Sequence, residues 1–180
     1  AHRVVQAKES LGRKWRKIAI SAAVVVVIAV GLVIWQFYGR RPAIEPASVD
    51  KMAFPLPEKP SIAVLPFVNM SEDPKQEYLS DGITEQIIST LSKVPYMFVI
   101  ARTSTFAYKD KPVKVQQVSQ DLGVRYVLEG SVQRSGDRVR ITAQLIDAID
   151  GKHMWAQRYD RELKDIFKLQ DEITLKIVQA

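Results

Sequence analysis

Residues 124–159 run VRYVLEGSVQRSGDRVRITAQLIDAIDGKHMWAQRY, and polarity within them switches at nearly every second position. Tyr126, Leu128, Gly130 and Val132 alternate with Val127, Glu129, Ser131 and Gln133. Val139, Ile141, Ala143 and Leu145 alternate with Arg138, Arg140, Thr142 and Gln144. A period of two is that of a strand with one covered face. Ser135-Gly136-Asp137 supplies a hairpin turn between the two runs. Asp150-Gly151 supplies a second turn into a third strand, Lys152 to Tyr159, which carries Trp155.

Working outward, Ile62 to Val68 (IAVLPFV) is a near-continuous apolar run, the pattern of a strand buried on both faces. Pro66 inside it argues for a bulge or for the end of pairing. Asn69 to Ser80 reads as a polar loop, and Asp81-Gly82 as the start of a helix with Asp81 at its N-cap and Glu85 in its first turn. Ile83, Ile87, Ile88 and Leu91 share one helical face, and Pro95 ends it. Met97 to Ala101 reads as a second buried strand, followed by Thr103-Ser104-Thr105, Phe106 and Tyr108. Lys114 to Leu122 predicts a second helix with Val115, Val118 and Leu122 inward and Gly123 just past its end. Beyond the three strands, Ile166, Leu169, Ile173 and Ile177 make one stripe of a last helix. The predicted order is β-α-β-α-β-β-β-α, an α/β (α+β) mixed-sheet domain over residues 61–180.

The N-terminal part reads differently. Ile18 to Gly39 (IAISAAVVVVIAVGLVIWQFYG) holds no Asp, Glu, Lys or Arg. As a helix these residues would span roughly 33 Å, close to the hydrocarbon thickness of a bilayer, and they are apolar on every side. Trp35, Phe37 and Tyr38 gather at one end, as suits the headgroup zone. The expectation is a single transmembrane helix over 18–39, preceded by a basic juxtamembrane lead-in over 1–17. A linker over 40–60 follows, stiffened by Pro42, Pro46, Pro55, Pro57 and Pro60. Met52, Ala53 and Phe54 are expected to dock on the domain or on lipid.

Charge supports that division. The chain carries a formal +6, but residues 1–41 hold eight Lys/Arg and one acid, while the other 139 residues hold 18 Lys/Arg and 19 Asp/Glu. The positive excess flanks the predicted span, as an anionic lipid surface would favour, and no nucleic-acid partner is implied. Six Lys/Arg precede the span and two follow it, which orients the N-terminus to the cytoplasm. The chain has no cysteine, so neither a disulfide framework nor a thiolate site is available within it.

The chemistry-bearing residues do not assemble into a site on the sequence. His2 and His153 lack metal-ligand spacing. Ser104 has no recognisable base, Asp147 and Asp150 read as turn acids, and Asp81-Gly82 reads as a plain helix cap. Arg138 and Arg140, with Glu129 across the hairpin, read as a solvated face with cross-strand pairs. Catalytic, cofactor-binding and metal residues are therefore all assigned as none.

From Pro60 the chain reads PSIAVLPFVNMSEDPKQEYLSDGITEQI, and from Phe98 FVIARTSTFAYKDKPVKVQQVSQDLGVRYVLEGSVQRSGDRVRITAQLIDAIDGKHMWAQRYDRELKDIFKLQDEI. These stretches resemble the TolB N-terminal-like domain of bacterial multidomain proteins. With AHRVVQ at residues 1–6 and EPASVDKMAFPLPEKPSIAVLPF at 45–67, the arrangement resembles the middle of bacterial class III adenylate/guanylate cyclases. The resemblance implies a cyclase domain upstream in the cytoplasm, one inner-membrane span, this domain in the periplasm, and tetratricopeptide repeats downstream. It implies a non-catalytic interaction or sensory module, with the bilayer and an extracytoplasmic protein as partners and a homodimer formed through the span and upstream domain. Two alternatives stand beside it: a scaffold domain of an envelope assembly, or the same module in a transmembrane winged-helix transcriptional regulator. No cyclase catalytic residue has a counterpart in these stretches.

Overall fold

The computed structural model describes residues 44–180; the lead-in, the expected span and the first residues of the linker lie outside them. Residues 44–180 form one compact unit. Among them no helix is long and apolar enough to cross a membrane.

The expected strand at Ile62–Val68 is two: β1 (Ser61–Val64) and β2 (Val68–Asn69). Both pair in parallel with β4 (Tyr126–Ser135), Val64 opposite Leu128 and Val68 opposite Ser131. Four steps on one side thus match three on the other, a one-residue bulge around Pro66. Proline has no N–H to donate to a ladder, so the interruption falls where it costs least. The Phe67 N–H instead donates to the Thr84 hydroxyl at 3.0 Å.

Helix α1 runs Glu77–Leu91, beginning before the Asp81 expected as its cap. A 3₁₀ turn, Pro74–Gln76, leads into it, and the Asp73 side chain caps that turn by accepting the Lys75 N–H. Ile83, Ile87, Ile88 and Leu91 are buried as predicted. The second strand shrinks to β3 (Phe98–Val99), parallel to β1. Thr103 to Thr105 fall in a single helical turn, α2 (Arg102–Thr105). Helix α3 (Val115–Leu122) ends on Gly123, whose φ of 63° is the left-handed cap conformation.

Strands β4, β5 (Arg138–Asp147) and β6 (Lys152–Glu162) form the antiparallel part of the sheet, in the order β3-β1-β4-β5-β6 with β2 also on β4. β5 alternates as the sequence requires: Val139, Ile141, Ala143 and Leu145 are buried. The first turn places Gly136 at φ 58° between the paired residues Ser135 and Arg138. β6 is longer than expected and slips by one residue near Met154, where Leu145 faces Trp155 but Ile146 faces His153.

The sheet separates two apolar clusters. Ile62, Val64, Leu128 and Val139, Ile141, Ala143 and Leu145 of β5 pack against α1 and against helix α4 (Ile166–Gln179), whose Ile166, Leu169, Ile173 and Ile177 form the predicted stripe. On the other side Ala63, Leu65 and Val127 meet Val118 of α3 and Ala47. β1 thus buries both faces, the reason its run is continuously apolar. Each fully buried Ile or Leu contributes roughly 1.5–3 kcal/mol. Ala47 and Ala53 tie the preceding segment to this second side. The Ala47 N–H donates to the Ala148 carbonyl at 2.6 Å, and the Ala53 N–H to the Gln120 carbonyl at 2.8 Å.

Candidate functional site

α3 covers only part of the outer face of the sheet. Beyond it lies an open cleft of about 770 Å³ between the Leu65–Asn69 bulge, the loop Tyr108–Val113 and the strands β4 and β5. Its floor is Glu129, Ser131, Thr142 and Gln144, the polar alternates of the period-two runs, with the Gly130 backbone between the first two. Gly130 itself turns to the opposite face, that of Leu128, Val132 and Phe67. A Cβ there would meet the Phe67 ring at 2.7 Å and collide with the Thr142 carbonyl. Glu129 and Gln144, directly opposite in the ladder, hydrogen-bond through their side chains.

The loop wall is held by charge. Lys109 Nζ lies 2.6 Å from Asp81 and 2.7 Å from Glu77 of α1. Partial burial works against its charge, but the two carboxylates outweigh that and hold its pKa above the ordinary lysine value. Asp110 follows at φ 59°, a left-handed conformation that aspartate tolerates better than most residues. The Tyr108 hydroxyl donates to Asp121 at 3.1 Å, and burial together with that carboxylate pushes its pKa up to about 12. The Arg102 guanidinium stacks 3.8 Å from the Phe106 ring centroid behind the loop.

The residues weighed from sequence go elsewhere. Asp81 is not a cap but the partner of Lys109. Asp147 is buried and spent. One oxygen accepts the Ile149 and Asp150 N–H groups, and the other accepts Arg125 Nε at 2.9 Å. That carboxylate raises the Arg125 pKa against the opposing effect of burial. Asp150 stands 3.8 Å from the same guanidinium. Ser104 is exposed on α2 and His153 is exposed beside the slip in β6; His2 lies outside the described residues. Arg140 pairs across to Asp160 at 2.7 Å rather than to Glu129, and that hydrogen bond depresses the Asp160 pKa. Among the described residues no group of three or more His, Asp and Glu is placed to hold a metal. The cleft itself was not foreseen. Its only sequence signal is the polar alternation flanking Gly130, which also fits plain solvation.

Residues 58–176 match the family model described as HilA/YgeH-like transcriptional regulator, second domain. The chain belongs to that family. This HilA/YgeH-like domain is also similar to a Rhizobium meliloti (strain 1021) protein named "Putative adenylate cyclase 3", at 58% identity over 148 residues, 82% of this chain and 25% of that protein. The chain therefore spans about a quarter of that relative. In three dimensions it is similar to TolB from Acinetobacter baumannii, with a TM-score of 0.51 at 19% identity over 71% of this chain and 29% of that one. That likeness shows a shared fold. Lipoprotein GNA1162 from Neisseria meningitidis gives a TM-score of 0.48 at 20% identity, over 67% and 97% of the two chains.

Proposed function

We propose that this HilA/YgeH-like domain is an accessory, non-catalytic interaction module that serves more than one kind of output domain. One observation carries the reading. The same fold unit matches the second domain of a transcriptional-regulator family and a quarter of a protein named as a cyclase. A module shared between two outputs suits input or docking rather than either chemistry. The spent state of Asp81 and Asp147 agrees, since each is bound to a structural cation. Exposed apolar side chains, Val68, Met70, Tyr78 and Phe98 among them, provide surface for a partner.

In this chain the output is a class III nucleotide cyclase domain joined through residues 18–39 as a membrane span, with residues 61–180 in the periplasm. The 58% identity to the cyclase-named relative supports that choice over a winged-helix output. A partner bound outside would bias the cyclase only through unequal affinity for two states of the span.

The topology is testable because the chain has no cysteine of its own. Ser10→Cys and Ser104→Cys, probed in intact cells with an impermeant maleimide, should label only at position 104. Labelling of both, or of position 10 alone, overturns the orientation. Deleting residues 61–180 from the full-length protein should keep basal cyclic-nucleotide synthesis and abolish its response to envelope conditions; an unchanged response overturns the module reading. A reporter response without cyclic-nucleotide synthesis selects the regulator output.

A further inference from the structure

Residues 40–60 read as a spacer, and 21 extended residues would let the domain stand up to about 75 Å from the end of the span. Most of that length is taken up on the domain itself. The Ile44 carbonyl lies against Gly151 in the β5–β6 turn. The Ala47 N–H is bonded to the Ala148 carbonyl and the Ala53 N–H to the Gln120 carbonyl. Ile44, Ala47 and Ala53 are thus fastened, and the slack ends at Ile44. Only four residues separate Ile44 from Gly39, where the proposed span closes. Fully extended, that stretch reaches about 18 Å.

The tethered end of the sheet is where strand register gathers several chain ends. Ser61 faces Phe98, Ile62 faces Tyr126, Tyr126 faces Asp147, and Asp147 faces Lys152. Phe54 sits over Gly123, just before β4, and Lys59 Nζ donates to the Pro95 carbonyl at 3.2 Å, just before β3. Val49 lies between the Ala47 and Ala53 anchors. Val49, Phe54, Tyr96 and Phe98 are each between 48 and 61% exposed. Charge of both signs stands among them, Lys51 beside Asp50 and Lys59 beside Glu58, so apolar contact outweighs any net charge. Val68, Met70 and Tyr78 make another exposed group, but toward the far end of β4. There Val68 faces Ser131, and the Arg134 guanidinium reaches the Tyr78 hydroxyl. Ser135, at the β4–β5 turn, stands nine residues along β4 from Tyr126, about 31 Å away.

We propose that the end of the sheet carrying Val49, Phe54, Tyr96 and Phe98 rests on the lipid bilayer, with the β4–β5 turn pointing away from it. The occupant is lipid because the fastened chain leaves this end, and not the other, within about 18 Å of where the span closes. Aromatic rings suit the headgroup zone they would enter. The short tether makes the contact intramolecular, so a few side chains too weak to hold a free domain suffice. The inference rests on the reading of residues 18–39 as a membrane span.

The absence of native cysteine lets single labels measure depth. The full chain is reconstituted into phosphatidylcholine vesicles that contain nitroxide-bearing lipid, with a bimane fluorophore on one introduced cysteine. With the nitroxide near the headgroup, Val49→Cys and Tyr96→Cys should each be quenched at least about threefold more than Ser135→Cys. High salt should leave that difference in place, because apolar contact carries it. With the nitroxide deep in the acyl chains, Ala29→Cys reports the span. Quenching at 29 with none at 49 and 96 overturns the docking and leaves the span standing. No quenching at 29 removes the span and the docking with it. Equal quenching at 49, 96 and 135 means that the domain tumbles on its tether, and overturns the proposal. Shielding of 49 and 96 from aqueous iodide without quenching by lipid means that a protein covers this end, and overturns it too.

Discussion

Lys109 Nζ sits between Asp81 and Glu77, 2.6 and 2.7 Å away, so one ammonium on the cleft loop fastens two successive turns of α1. Asp81→Asn and Lys109→Met should each loosen the loop, and the double variant should cost less than the two together. The expected coupling is about 1 kcal/mol, measured by urea unfolding in a double-mutant cycle. Because the folded pKa of Lys109 is raised above 10.5, this contribution is complete below that pH and is lost as pH rises through the higher folded value. Additive single effects would remove the clamp from the account.

Thr84 holds the bulge to the helix. Its hydroxyl donates to the Ser80 carbonyl at 2.8 Å and accepts the Phe67 N–H at 3.0 Å. Thr84→Val keeps the volume and leaves that N–H buried without an acceptor, a loss of roughly 1–3 kcal/mol. Thr84→Ser should retain most of the stability, because it keeps the oxygen. The comparison of the two unfolding midpoints is the test.

Gly130 is where a side chain has no room. Gly130→Val should destabilise by about 1–3 kcal/mol through overpacking against the Phe67 ring and the Thr142 carbonyl. Phe67→Leu in the same background should recover only part of the loss, because the carbonyl belongs to the backbone and cannot turn aside. Thermal unfolding of the three proteins reads the outcome.

Tyr108 should titrate late. Its pKa of about 12 reflects burial and the Asp121 carboxylate, so the alkaline difference spectrum of the chain minus Tyr108→Phe should show one phenol ionising near that pH. The sign follows from linkage: Tyr108 stabilises the fold fully below its ordinary value of 10.0, and that stabilisation is lost as pH climbs through about 12. A difference spectrum centred near 10 would show that Tyr108 is free of Asp121.

Much of the architecture was legible from side-chain order. The burial of Val139, Ile141, Ala143 and Leu145, the stripe on α4, the cap at Gly123 and the break at Pro66 are all as the residues suggest. Asp81 was misread because Asp-Gly before an apolar run is a good local start, while the Asp73-Pro74 pair four residues before Glu77 is a better one. Met52, Ala53 and Phe54 read as a docking segment for the domain or for lipid, but nothing in their order says where on the domain they attach. Phe54 rests where Gly123 lacks a Cβ, and the Ile44 carbonyl approaches Gly151 in the same way. Such contacts depend on gaps in a surface that does not exist until the strands have paired.

The amino-acid order alone determined which side of each strand and helix is apolar and where the chain reverses, because alternation, turn glycines and proline act within a few residues of themselves. Only the tertiary structure decided what each polar group is spent on. Arg125 meets Asp147 across 22 positions and Lys109 meets Asp81 across 28. A donor selects among the acceptors that folding brings within about 3 Å, and separation along the chain does not encode that distance.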